Sequence, residues 1–171
     1  MKSSKTTKTL LWVSGALTAV ICLVMNLVLI PMIEAGTNGI RCFDMQSTGY
    51  TWETAKQFLA LIGNNGRSVY LHWQLPLDFF YPAAYTAFFM LALKKLSGKN
   101  WPLIVPGALA AFDYAENVCT IIMLKNMSVT ESMAKLASTF TVIKSGLMTI
   151  TFILLAVFLI IWIIKKRKQK Q

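Results

Sequence analysis

Four apolar stretches, at about 10–33, 70–93, 101–124 and 136–164, constrain this chain more than any other feature. Each is long enough to cross a bilayer, which takes roughly 20 predominantly apolar residues in a helix. Hydrocarbon offers no partner for a bare N–H or C=O, so a segment of this kind crosses as a helix that bonds its own backbone. The expected fold is therefore all-α: one integral membrane domain, 1–171, built as an antiparallel bundle of four transmembrane helices. Composition agrees, because only 14% of residues are charged, against about 25% in an ordinary soluble domain.

The net charge of +10 invites a nucleic-acid reading, but the basic residues stand in short clusters beside the apolar runs. That is the distribution of topology determinants, and nucleic acid is not an expected partner. Lys2, Lys5 and Lys8, then Lys94, Lys95 and Lys99, then Lys165, Lys166, Arg167, Lys168 and Lys170 fall on one side, with no acid among them. The other side has Arg41, Lys56, Arg67, Lys125 and Lys135, balanced by Glu34, Asp44, Glu53 and Glu131. This asymmetry predicts a multi-pass protein of the cell membrane with both termini cytoplasmic. The first stretch follows a basic segment as a secretory signal does, but its apolar part is too long and no small-x-small cleavage site follows, so it reads as a retained anchor. The basic tail reads as a stop-transfer anchor, with membrane lipids as its partners.

The only sizeable segment outside the membrane is 34–69. Within it Trp52, Ala55, Phe58, Leu59 and Ile62 recur at helical spacing. Thr51 stands where a cap belongs, Glu53 is in the first turn and Gly63 at the end, which predicts a short amphipathic helix lying on the membrane or capping the bundle. Asn64-Asn65-Gly66 then reads as the turn into the second span.

Cys22 and Cys119 lie inside spans, which leaves Cys42 alone in the outer segment with no intramolecular partner there. No CxxC, HExxH, Walker, GxGxxG or GxSxG pattern is present, so the sequence calls for no metal and no cofactor.

The informative residues are ionisable groups inside the spans: Asp78, Asp113, Glu116 and Lys144. Each costs several kcal/mol at mid-bilayer unless it faces protein or water. Counted from the outer end of its own span, Asp78, Glu116 and Lys144 each lie about eight residues in, roughly 12 Å deep at 1.5 Å per residue. Asn26 falls in the same layer and Asp113 one turn deeper. The faces agree with the depths. One side of the second span carries Gln74, Asp78, Tyr81, Pro82 and Tyr85, one side of the third Asp113, Glu116, Asn117 and Thr120, and one side of the fourth Thr141, Lys144, Ser145 and Met148. Ser14, Gly15, Thr18, Cys22 and Asn26 give the first span a stripe of its own. Four such stripes facing inward make a polar core in the outer half. Pro76 and Pro82 flank Asp78 and predict a kink that frees carbonyls one turn back.

Three carboxylates against one ammonium cannot stay unsolvated at that depth. A carboxyl must carry a proton, a cation must bind, or water must enter. Three readings stay open. The charges form a packing clasp in a protein that assists an unknown partner; or they form a site for a proton, a cation or a small lipidic or amine ligand, lined by Asp78, Asp113, Glu116, Lys144, Asn26, Asn117, Tyr81 and Tyr85; or they serve an intramembrane enzyme acting on a lipid-like substrate. His72, the only histidine, reads as an interfacial residue, and in the enzyme reading it is the proton carrier above Asp78. The missing nucleophile and phosphate cradle weigh against an enzyme.

Gly66-Arg67-Ser68-Val69-Tyr70 through Asp78-Phe79-Phe80-Tyr81-Pro82-Ala83-Ala84-Tyr85, then Phe112-Asp113-Tyr114-Ala115-Glu116-Asn117, together with Tyr50-Thr51 and the helix after it, resemble a group of small four-span bacterial membrane proteins without an assigned function. The resemblance runs over about 43–124, implies the fold and supplies no activity. A weaker similarity, to the four-helix sterol isomerase and sigma-two receptor group, implies acidic residues that hold a cationic ligand inside a bundle. The spacings carry no residue across from it.

Overall fold

The computed structural model describes residues 2–169, which leaves Lys170 of the basic tail outside it. Among the described residues every regular element is helical. The chain begins with α1 (Lys2–Val24), which runs through a π-helical turn at Met25–Leu29 into α2 (Ile30–Glu34). A folded segment follows, with a short 3-10 turn at Phe43–Met45, then α3 (Trp52–Leu61) and α4 (Gly63–Val69). A second π-helical turn, Tyr70–Gln74, leads into α5 (Leu75–Ser97), followed by α6 (Ile104–Asn126) and α7 (Glu131–Lys168). Four continuous helical runs are long and apolar enough to cross a membrane: Lys5–Glu34, Gly63–Ser97, Trp101–Asn126 and Glu131–Lys168.

The ends of these elements follow local chemistry. Thr51 caps α3 by accepting from the Thr54 amide at 3.2 Å, and Thr130 caps α7 from the Met133 amide at 3.2 Å. The two π-helical turns have one cause. Pro31 and Pro76 each stand two residues beyond a turn. A proline has no N–H to return to the carbonyl four residues back. Just upstream of each, the register slips by one residue, so that Ile30 bonds back to Met25 and Leu75 to Tyr70. The two turns also lie against each other.

Asn64-Asn65-Gly66 is helical, so the reading of these residues as a turn is corrected. Gly63, at φ +63°, takes the left-handed conformation that breaks the chain, and α4 begins there. Gly66 serves close packing instead. A Cβ on it would stand 2.9 Å from the Ile33 carbonyl oxygen, so α4 can lie this near α2 only without a side chain.

Among the membrane-length helices α1 packs on α5, α5 on α6 and α7, and α6 on α7, whereas α1 and α7 share no more than isolated contacts. The densest packing is at the end of the bundle that carries 34–69. There Ile33, Phe43, Ala55, Phe58, Tyr70, Met123 and Ala137 belong to one buried cluster. Phe43 meets Phe58 at 4.8 Å between ring centroids and Phe58 meets Tyr70 at 6.4 Å. Among the bonds that tie this segment to its neighbours, the Tyr50 amide donates to Ser138 Oγ at 2.8 Å, and Trp52 Nε1 to the Val129 carbonyl at 2.8 Å.

Candidate functional site

The charged residues converge on Lys144. Its ammonium contacts Glu116 Oε2 directly, lies 3.3 Å from Asp113 Oδ1 and 3.9 Å from Asp44 Oδ1. Each carboxylate is also fixed from a second side. Thr141 Oγ1 donates to Glu116 Oε1 at 2.5 Å, Tyr85 to Asp113 Oδ2 at 2.8 Å, and Tyr70 to Asp44 Oδ2 at 2.7 Å. Glu116 is fully enclosed, with a side-chain exposure of 0%. A charge-assisted bond in such surroundings is far stronger than on a surface, and the three acids hold the one base in place.

Asp78 stands apart from this knot. It is buried, its Oδ2 has no hydrogen-bond partner, and no ion pair joins it to Lys144 among the described residues. Its backbone is fully used. Pro82 withholds the amide that would bond the Asp78 carbonyl, and Asn117 Nδ2 donates to that carbonyl instead, at 2.9 Å. One turn before Asp78, at the end of the π-helical turn, Gln74 is buried with both side-chain atoms, Oε1 and Nε2, unpartnered. A buried amide and a buried carboxylate left bare side by side are exceptions that call for an explanation.

Both face one cavity of about 350 Å³. Its floor is Gln74, Asp78, Tyr81, Asp113 and Lys144; its roof is Asp44, Met45 and Ser47 from the 34–69 segment. Its side walls are Met25, Asn26 and Ile30 from the first helical run and Ser145, Met148 and Thr149 from α7. The space thus lies where α1 and α7 fail to close on each other, and the two π-helical turns shape it.

Of the residues singled out in the sequence, Asp78, Asp113, Lys144, Asn26 and Tyr81 line this cavity. Glu116, Asn117 and Tyr85 lie behind it and hold its wall. Asn26 is exposed, and its amide donates to the Cys22 carbonyl of its own helix at 2.9 Å, so it forms part of the rim and touches no carboxylate. His72 is elsewhere. It is exposed on the outer face of the bundle, with Nδ1 2.9 Å from the Ser68 carbonyl oxygen, and it lines a different recess. The arrangement of His72 above Asp78 is therefore corrected: residues six apart on a helix stand about 120° apart around its axis, so the two face different sides.

Sequence reasoning misses Asp44 and Tyr70 as members of the site, and it puts Gln74 on the face of Asp78 without giving it a role. It groups Asp44 with the acids that balance the outer basic residues. The signal that Asp44 folds inward is the apolar character of its neighbours, Cys42, Phe43 and Met45, which are too hydrophobic for a free loop. Cys42 is wholly buried, and burial, reinforced by the Asp44 and Glu34 carboxylates, holds its thiol well above the usual range.

Set against models of known protein families, curated proteins and solved structures, the chain finds no match.

Proposed function

We propose that this is an integral protein of the cell membrane that binds a small organic cation, an amine with an apolar body, in the cavity beside Asp78. One observation carries the reading. A buried carboxylate oxygen and a buried carboxamide, all without partners, face a partly open cavity, and an unpaired charge in such a place is unfavourable by several kcal/mol until a cation or proton meets it. Lys144 does not fill this role, since Glu116, Asp113 and Asp44 already hold it. About 350 Å³ is room for several heavy atoms, at the small end of ligand cavities, which run from roughly 300 to 1,000 Å³. Met25, Ile30 and Met148 offer apolar contact and Tyr81 an aromatic ring, the lining that suits an alkyl or aryl ammonium. The enzyme alternative draws no support from this geometry, because His72 is not beside the carboxylate it would serve.

The test uses purified full-length protein and N-butylbenzylamine, with the uncharged butyl benzyl ether as control. The amine is expected to raise the unfolding temperature of the wild type, and the ether is not. In Asp78→Asn the amine effect should vanish, because a charge-assisted contact of this kind accounts for about 2–5 kcal/mol when one partner is removed. An equal response to amine and ether, or an undiminished response in Asp78→Asn, would overturn the reading.

The membrane placement is antiparallel, with both termini in the cytoplasm and α3 at the outer surface as the cap of the bundle. Contacts support the direction. Arg67 bonds the carbonyls of Leu124 and Lys125, Tyr114 that of Phe79, and Thr86 that of Pro106, so numbers rise on one helix as they fall on the other. Cysteines introduced at Thr48 and Lys99, in cells treated with an impermeant maleimide, check the orientation: Thr48→Cys should label and Lys99→Cys should not. Native Cys42 will not interfere. Its thiol is buried and shifted upward, so little thiolate exists at pH 7 to 8, and it should react only after denaturation. Labelling of Lys99→Cys from outside would reverse the topology.

A further inference from the structure

A second recess lies on the opposite side of the bundle, between α5 and α6. It has a volume of about 350 Å³, and its lining divides by chemistry along its length. His72 and Lys125 stand at one end; Leu75, Pro76, Phe79 and Ile121 form the wall beneath them. Phe79 is seven residues beyond His72, about 10 Å further along the helix at 1.5 Å per residue. The basic end is level with Trp73, which is 65% exposed, as expected of an aromatic residue at the headgroup boundary.

The charge at that end is unbalanced. No acid lines the recess, and the Lys125 side chain makes no ion pair among the described residues. The last carbonyls of α6, which would otherwise attract the ammonium, are taken by Arg67: Nε donates to Leu124 and a terminal nitrogen to Lys125, both at 2.8 Å. The His72 ring is held by its Nδ1 contact with the Ser68 carbonyl, which leaves Nε2 for the recess.

An apolar slot with an uncompensated cation at headgroup level is complementary to an anionic amphiphile. We propose that this recess holds one anionic phospholipid, its phosphate at Lys125, its polar headgroup at His72 and one acyl chain along Leu75, Phe79 and Ile121. The inference rests on the membrane placement above and is independent of the amine site.

Native mass spectrometry of the detergent-solubilised full-length protein tests it, with dioleoylphosphatidylglycerol and dioleoylphosphatidylcholine as probes. The wild type should retain one phosphatidylglycerol in preference to phosphatidylcholine. Lys125→Glu should weaken that retention by about tenfold or more, and Lys125→Gln by less, as expected of a surface-level charge contact. Because Lys125 is exposed, both variants should keep the wild-type unfolding temperature. A control with Lys165, Lys166, Arg167 and Lys168 changed to Gln should keep the bound lipid. Undiminished retention in Lys125→Glu, or its loss in the tail control, would overturn the proposal. Failure of the protein to fractionate with membranes would instead overturn the membrane placement.

Discussion

Lys144→Met is expected to destabilise the protein by about 3–5 kcal/mol, the usual cost of removing one partner from a buried ionic group. The substitution roughly preserves length and apolar volume, so the loss reports the charge. It would leave Glu116, Asp113 and Asp44 facing a common space without their cation, and the Lys144 side chain is only 13% exposed, so water gives little relief. Mutual repulsion of the three acids adds to the desolvation that each bears. The double variant Lys144→Met with Glu116→Gln should recover a substantial part, because Glu116 makes the tightest of the three contacts and is the most deeply enclosed. In that variant Thr141 can still donate to the carboxamide oxygen, as it does to Glu116 Oε1 in the wild type. Unfolding in mixed micelles of increasing SDS fraction, followed by circular dichroism, measures the single and double variants and the coupling between them. A Lys144→Met protein within about 0.5 kcal/mol of wild type, the range of ordinary surface changes, would show that the knot does not hold the helices.

The residues of that knot are largely legible in the sequence, and the reason is physical. An ionisable group in a span is costly wherever it stands, so its presence alone marks an inward face. Depth along each helix then brings Glu116 and Lys144 level, and they do meet. Depth counting is less faithful for Asp113, which it puts a turn deeper, yet which lies 3.3 Å from the same ammonium. A lysine side chain is long enough to span a turn, so one base can serve two acids stacked on the facing helix. What no count along a helix can provide is Asp44. It arrives from a segment outside the spans, and its position depends on Phe43 and Tyr70 burying themselves together with Phe58.

The prolines show a similar division. Pro82 is legible as a residue that frees a carbonyl, and Asn117 bonds that carbonyl at Asp78. The π-helical turns are not legible, because a proline marks only that the helix is disturbed and not that its register slips by one residue. Their consequence is large all the same. One extra residue in a turn rotates everything beyond it by about 100°, the angle per residue of an α-helix with 3.6 residues per turn. Met25 and Asn26 of the first turn and Gln74 of the second all line the cavity.

Asp78→Asn is expected to stabilise the unliganded protein by about 1–3 kcal/mol, because it removes the charge from a buried, unpartnered carboxylate and its new amide can donate to the bare Gln74 Oε1. The sign is opposite to that for Lys144, and the reason lies in the surroundings of the two residues. Lys144 is compensated by three carboxylates, whereas Asp78 has acids for neighbours, Asp44 and Asp113 foremost, and makes no ion pair with Lys144 among the described residues. Its Oδ2 is bare, and its backbone carbonyl bond to Asn117 does not depend on the side chain. Asparagine has almost the same shape, so it removes the charge while keeping the packing. A residue that weakens its own fold in this way is explained if the carboxylate serves something other than the fold, as binding sites commonly do. Unfolding in mixed micelles without added amine gives the comparison directly. Should Asp78→Asn instead lose as much stability as Lys144→Met, Asp78 would be a structural partner within the knot, and the cavity beside it would have no unpaired charge to offer a ligand.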